Sequence, residues 1–270
     1  MILATNKRLI SLGFIIALFC EVSIASSEQL NISNTELEKI AQLIWLNEGA
    51  GLEKNLSVWN NNEDFPSFGI GHFIWYPTGV EGPFSETFPA LRDFLHQHQP
   101  APAWLRSLND APWQSRDQFY RQFNTPKMQS MRRWLGQTKA LQARFIAQRL
   151  ESALPKLLAT LNADKQRQHI TAQFYAVANS PNGLYALIDY VNFKGEGINP
   201  NERYKNQGWG LLQVLQAMPK QPNNAVTAFA HAADQVLSQR VANAPRDERA
   251  WLAGWRKRLA SYPPQFSHED

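Results

Sequence analysis

The sequence predicts a mainly α fold in which a small β-hairpin faces a large helical lobe across a groove. Apolar residues recur at helical spacing along most of the chain, in segments parted by Pro, Gly or Asn, and only residues 56–78 replace that rhythm with alternation around a polar turn. Composition agrees. The 270 residues are 44% hydrophobic with a single Cys, which is too apolar for a disordered chain and too poor in cysteine for a disulfide scaffold.

The elements follow in order. Residues 1–25 read as a leader: Lys7 and Arg8 precede an apolar run from Leu9 to Cys20, and Ser23-Ile24-Ala25 offers a small-x-small cleavage site. The run is shorter than the roughly 20 residues a spanning helix needs. The expectation is therefore a periplasmic or secreted protein with no stable membrane span after cleavage and one domain over residues 26–270; an uncleaved leader would instead anchor it. Phe19 before Cys20 argues against a lipoprotein. Cleavage removes Lys7, Arg8 and Glu21 from 27 basic and 23 acidic residues, leaving 25 and 22, net +3, and discards the one cysteine. Stability must then come from packing.

Ser33-Asn34-Thr35 with Glu36 and Glu38 supplies capping boxes for a first helix, whose apolar stripe is Leu37, Ile40, Ala41 and Ile44 and whose stop is Gly49-Ala50-Gly51. Around Asn60-Asn61-Asn62-Glu63-Asp64, the residues Val58-Trp59, Phe68, Ile70 and Phe73-Ile74-Trp75-Tyr76 predict the hairpin. Further helices are expected near 85–97, 115–123, 126–136, 139–162, 164–178, 183–193, 208–217, 223–242 and 246–260. Lys and Arg are spread along the chain, and a formal charge of +4 without a cationic stripe excludes the pattern of a nucleic-acid binder. Arg132-Arg133 and Arg256-Lys257-Arg258 read as solvated helix faces.

The first chemical candidate is Glu48. It follows Ile44 by four residues and so shares the apolar face of the first helix. A carboxyl set against apolar groups is expected to have its pKa raised, as a general acid working near neutral pH requires. A negative charge at a helix C-terminus is also unfavourable by about 0.3–1 kcal/mol, so the placement invites an explanation.

The stretch Trp59-Asn60-Asn61-Asn62-Glu63-Asp64-Phe65-Pro66-Ser67-Phe68-Gly69-Ile70-Gly71-His72 resembles the hairpin of phage-type lysozymes. The resemblance implies a lysozyme-like fold, with Glu48 as the proton-donating glutamate, Ser67 as the hydroxyl residue and Gly69-Ile70-Gly71-His72 as the strand bordering the cleft. Asn61 stands where that family has its catalytic aspartate. Glycoside hydrolysis usually takes two carboxyls. A lytic transglycosylase manages with one glutamate, because the 6-hydroxyl of N-acetylmuramic acid attacks the anomeric carbon, and Glu48 with Asn61 suits that chemistry.

A second glutamate competes. Asn192-Phe193-Lys194-Gly195-Glu196-Gly197, followed by Gly208-Trp209-Gly210-Leu211-Leu212-Gln213, resembles the Glu…Gly-x-Gly-Leu-x-Gln run of soluble lytic transglycosylases. Gly197 stands where a Ser usually follows that glutamate. Glu196 is thus either a second catalytic carboxyl or a glycine-flanked residue that merely leads into the next helix.

Trp59, Trp75, Tyr76, Tyr204 and Trp209 lie beside these motifs and are candidate saccharide-stacking rings, with core packing the plainer account of any one of them. Asn61, His72 and Gln213 complete the substrate-binding candidates, with Glu48, Ser67 and Glu196 as the catalytic ones. No metal spacing appears among the histidines, and no cofactor is expected. The expected partner is peptidoglycan or a related polysaccharide, with no nucleic acid, met by a monomer. The expected activity is cleavage of peptidoglycan glycan strands through Glu48. The alternatives are a chitinase- or chitosanase-like glycosidase and a catalytically inactive cell-wall-binding protein, the latter favoured by Asn61.

Overall fold

Ser33 opens the first helix as its spacing demands: the hydroxyl accepts from the Glu36 N–H at 3.2 Å, satisfying one otherwise unpaired donor. The computed structural model describes residues 30, 32–82 and 84–264, so the leader expected at 1–25 lies outside the described residues. Helix α1 (Asn34–Gly49) ends where Ala50 turns left-handed (φ +50°). Its stripe of Leu37, Ile40, Ala41 and Ile44 is buried against α5 (Lys139–Ala159).

Between these two helices lies the β region. Three two-residue strands, β1 (Ser57–Val58), β2 (Ser67–Phe68) and β3 (Phe73–Ile74), form an antiparallel sheet in the order β1-β2-β3, with Val58 opposite Ser67 and Phe68 opposite Phe73. The expected hairpin is therefore a three-stranded sheet with very short ladders. Pro66 has no N–H to give, and Gly69 (φ +74°) turns the chain out of extended geometry just after β2. What holds the region is aromatic packing. The Phe68 ring lies 4.8–6.1 Å from those of Phe88, Trp75, Trp113 and Phe119, all fully or almost fully buried.

The remaining helices are α2 (Phe88–His98), α3 (Arg116–Arg121), α4 (Pro126–Gln137), α6 (Asp164–Ala178), α7 (Gly183–Lys194), α8 (Leu211–Ala217), α9 (Ala225–Asn243) and α10 (Arg249–Leu259). Every predicted helix occurs. Two of the boundary differences have local causes: Gly208-Trp209-Gly210 stays non-helical and caps α8, and α10 starts only after Glu248 is drawn into an ion-pair cluster. Helix α7 is the hub. Its run from Tyr185 to Val191 is buried on all sides by α5, α6, α8 and α9, and that run includes a carboxylate, Asp189. Among the described residues no helix is long and apolar enough to cross a membrane.

Candidate functional site

A cavity of ≈ 680 Å³ opens where the strip after β2 meets the C-terminal end of α7. Its lining includes His72, Arg149, Lys156, Lys194, Glu196, Tyr204, Trp209 and Arg240.

The glycines of the Gly69-Ile70-Gly71-His72 strip let it lie flat on the helical lobe. The Ile70 N–H donates to Gln142 Oε1 of α5 at 2.8 Å, and Gln142 Nε2 donates in turn to the Leu135 carbonyl at 2.7 Å. A Cβ at Gly69 would collide with that same Gln142 oxygen. Asn192 of α7 donates to the Gly71 carbonyl at 3.3 Å, and a Cβ at Gly71 would stand 2.7 Å from its Oδ1. The strip is thereby fastened to two helices. It delivers His72, itself left-handed (φ +49°), to the cavity wall. His72 Nδ1 is 3.6 Å from Glu48 Oε2, an ion-pair rather than a hydrogen-bond distance, while Nε2 is buried without a hydrogen-bond partner among the described residues.

Glu48 does face inward, as its register on α1 requires, and it is clamped there. Its Oε1 lies 2.8 Å from Arg258 Nη1 of α10. The same guanidinium donates its Nε and Nη2 to Asp189 at 2.7 and 2.8 Å, and the Tyr262 hydroxyl donates to Asp189 at 2.7 Å. The result is a continuous chain from the fully buried Tyr262 and Asp189 through Arg258 to the partly exposed Glu48 and His72. It corrects the expectation of a raised pKa. Burial does push the Glu48 carboxyl up, and is the largest single influence, but the charges of Arg258, His72 and Lys194 and the Arg258 hydrogen bond together outweigh it and hold the pKa below the usual glutamate value. Glu48 touches His72 but is not itself part of the cavity lining.

Glu196 is in the lining. Helix α7 ends at Gly195 (φ +76°), so Glu196 is off its helix, and the carbonyls of Gly195 and Glu196 accept from the Leu211 and Leu212 N–H groups at 3.0 Å each, capping α8. Gln213 closes the loop from below, accepting from the Gly210 N–H at 2.9 Å and donating to the Gly197 carbonyl at 3.0 Å. Gly197 and Gly210 meet backbone to backbone, and a Cβ at Gly197 would collide with Gln213 Oε1, which explains glycine where a Ser was expected. The main chain thus caps a helix while the side chain stays in the cavity, with Oε1 3.2 Å from Lys156 Nζ.

The other candidates divide cleanly. Tyr204 and Trp209 line the cavity with ring centroids 4.7 Å apart, and the Tyr204 hydroxyl donates to the buried Glu248 at 3.0 Å. Gln213 supports the loop rather than lining the cavity. Trp59, Trp75 and Tyr76 are corrected to core residues: Trp59 gives its indole N–H to the Glu63 carbonyl, Trp75 gives its own to Asn109, and Tyr76 gives its hydroxyl to Phe84. Ser67 is buried within β2 and Asn61 is exposed in the turn, neither of them in the cavity lining.

Arg258 was read as a solvated charge and is instead the centre of the chain from Tyr262 to His72. Arg132 is likewise buried, donating to the Ser57 hydroxyl at 3.2 Å and the Phe123 carbonyl at 2.8 Å. Sequence reasoning also missed Asp189, Lys194, Arg149, Arg240 and Glu248. For Asp189 a signal existed, a lone acid inside Leu187-Ile188-Asp189-Tyr190-Val191. Among the described residues no group of three or more His, Cys, Asp or Glu side chains gathers in a way that would hold a metal ion. Comparison with protein-family models, with curated proteins and with solved structures finds no match to this chain.

Proposed function

We propose that the protein is an exported, lysozyme-like enzyme that cleaves peptidoglycan glycan strands, with Glu48 and Glu196 as its acid/base carboxyls. The observation that carries this reading is the strip Gly69–His72, which brings His72 to the cavity while holding it 3.6 Å from Glu48, with Glu196 in the lining of that same cavity. Glycosidic cleavage usually takes two carboxyls; Glu196 lines the cavity, and Glu48 stands behind His72, outside the lining. Glu196 makes good the carboxyl that Asn61 does not supply. The role of Glu48 follows from its charged environment and that of Glu196 from its place in the cavity lining. Glu48, held ionised by Arg258, suits the carboxylate half of the reaction, facing across His72 the positive charge developing at the anomeric carbon. Glu196 then protonates the leaving oxygen. Tyr204 and Trp209 supply ring faces for a pyranose.

Glu48→Gln and Glu196→Gln, each on a murein zymogram with mass spectrometry of the released ends, test this. Each variant is expected to lose about 100-fold or more of the clearing rate, the usual scale for removing an acid/base group. Reducing ends alone mark a muramidase, and 1,6-anhydro ends a transglycosylase. Full clearing by both variants sinks the proposal. A second reading, a wall-binding protein without activity, is favoured by the Arg258 clamp, which leaves Glu48 without a proton to donate; clearing by the wild type excludes it.

A further inference from the structure

Among the described residues, five cationic side chains line the cavity, Arg149, Lys156, Lys194, Arg240 and Arg246, against two carboxylates, Glu196 and Glu202. In a chain of net charge +4 this is a concentration of positive charge at one place. Three of the five have partners: Lys156 pairs with Glu196, and Arg240 and Arg246 with Glu248. Lys194 and Arg149 make no side-chain hydrogen bond and no ion pair among the described residues.

Lys194 is the more telling of the two. Its Nζ sits 3.9 Å from the Phe193 ring centroid and 3.7 Å from that of Trp255, between the Arg258–Glu48 pair and the Arg240–Glu248 pair without joining either. Burial, together with the charges of Arg240 and Arg258, pushes its pKa well below the ordinary lysine value, against a smaller pull upward from Glu248 and Glu48. A packed ammonium facing two guanidiniums with no anion of its own is costly to keep unless something supplies the anion. Burial lowers the Arg149 pKa, with Glu196 acting the other way, and the guanidinium stays charged. Its planar fork matches a carboxylate.

We propose that Lys194 and Arg149 are the points at which the groove binds carboxylates borne by its ligand, so that it selects an acidic glycan strand over a neutral one. This rests on the glycan-cleaving reading above and narrows it: the lactyl and peptide carboxylates of murein distinguish that polymer from chitin, whose sugars carry none. The rings of Tyr204 and Trp209 hold the sugar, and the unpaired cations read its charge.

Calorimetric titration of the full chain tests this with four probes: an N-acetylglucosamine–N-acetylmuramic acid tetrasaccharide, the same compound with its carboxylates amidated, the neutral N-acetylglucosamine tetrasaccharide, and inorganic phosphate. The acidic tetrasaccharide is expected to bind about tenfold or more tightly than the other two sugars, the scale of one hydrogen bond to a charged group. Lys194→Met and Arg149→Met should each remove most of that preference and leave the affinity for the neutral sugar unchanged. Because an unpaired buried ammonium is costly and Met packs on the same Phe193 and Trp255 rings, Lys194→Met should fold with a Tm no lower than that of the wild type, so a lost preference is read as lost recognition. Equal affinity for all three sugars overturns the carboxylate subsite and leaves the glycan reading standing. Binding of phosphate through Lys194 with no binding of any sugar overturns both.

Discussion

Arg258→Met removes the cation that joins Glu48 to the buried Asp189. The native side chain is 8% exposed and pairs with Asp189 at 2.7 Å and Glu48 at 2.8 Å. Taking one partner from a buried pair costs about 3–5 kcal/mol, because the remaining charge is left out of water. At roughly 2–4 °C per kcal/mol for a chain of this size, Tm at neutral pH should fall by about 6–20 °C. The pH dependence is the sharper reading. In the wild type the folded pKa of Glu48 lies below its ordinary value of 4.5, so its pairing stabilises the fold above that pH and is lost as pH falls through the lowered folded value. In the variant, burial is opposed only by His72 and Lys194, and the pKa rises. A carboxyl with a raised folded pKa favours the fold at acid pH and disfavours it as pH increases, so the sign of its contribution reverses. The Tm deficit, followed by circular dichroism, should therefore shrink between about pH 7 and about pH 4. Adding Glu48→Gln to Arg258→Met should recover part of the loss at neutral pH. A deficit of equal size across that range, or no recovery in the double variant, refutes the electrostatic account of the site.

Three further outcomes follow from packing and capping. Gly197→Ala places a Cβ against Gln213 Oε1 at φ +83°, and the left-handed penalty alone is about 1–2 kcal/mol, so chemical denaturation should show at least that loss together with a weakened α8 cap. Phe68→Ala empties the centre of the aromatic cluster and should cost about 3–5 kcal/mol in the same assay, whereas a loss below 1 kcal/mol would mean that the sheet region does not share the core. Ser33→Ala removes the α1 N-cap and should cost about 0.5–2 kcal/mol, with Ser33→Gly losing only a few tenths.

The helices were legible because their signals are local. Ser33 as a cap, Gly49-Ala50-Gly51 as a stop and the spacing of Leu37, Ile40, Ala41 and Ile44 need nothing from the rest of the chain. The β region was legible in place but not in form. Alternation from Val58 to Tyr76 marks residues that face the core in turn, yet only two residues of each strand pair, because the contacts that order this segment are aromatic and come from α2, α3 and Trp113. The same fact removed Trp59, Trp75 and Tyr76 from the list of sugar-facing rings. An aromatic beside a motif is as well placed to hold the motif's backbone as to meet a ligand, and these three spend their polar atoms on nearby carbonyls.

The inward placement of Glu48 was legible and its charge was not, for a reason that lies in distance along the chain. Helical register alone shows that Glu48 faces inward, and inward-facing carboxyls are raised unless something opposes burial. What opposes it stands 210 residues away on α10, held in place by Asp189 of α7, and no local pattern joins these three residues. Reading Arg256-Lys257-Arg258 as one solvated run failed because the three diverge by about 100° per step around a helix. Arg256 therefore reaches the partly exposed Asp234, and Arg258, two positions on, points into the core. A carboxylate at 48 and a cation at 258 each look unremarkable alone. Together with Asp189 they leave Glu48 ionised and Lys194 without an anion, so the charge the cavity lacks is the charge an acidic ligand would bring.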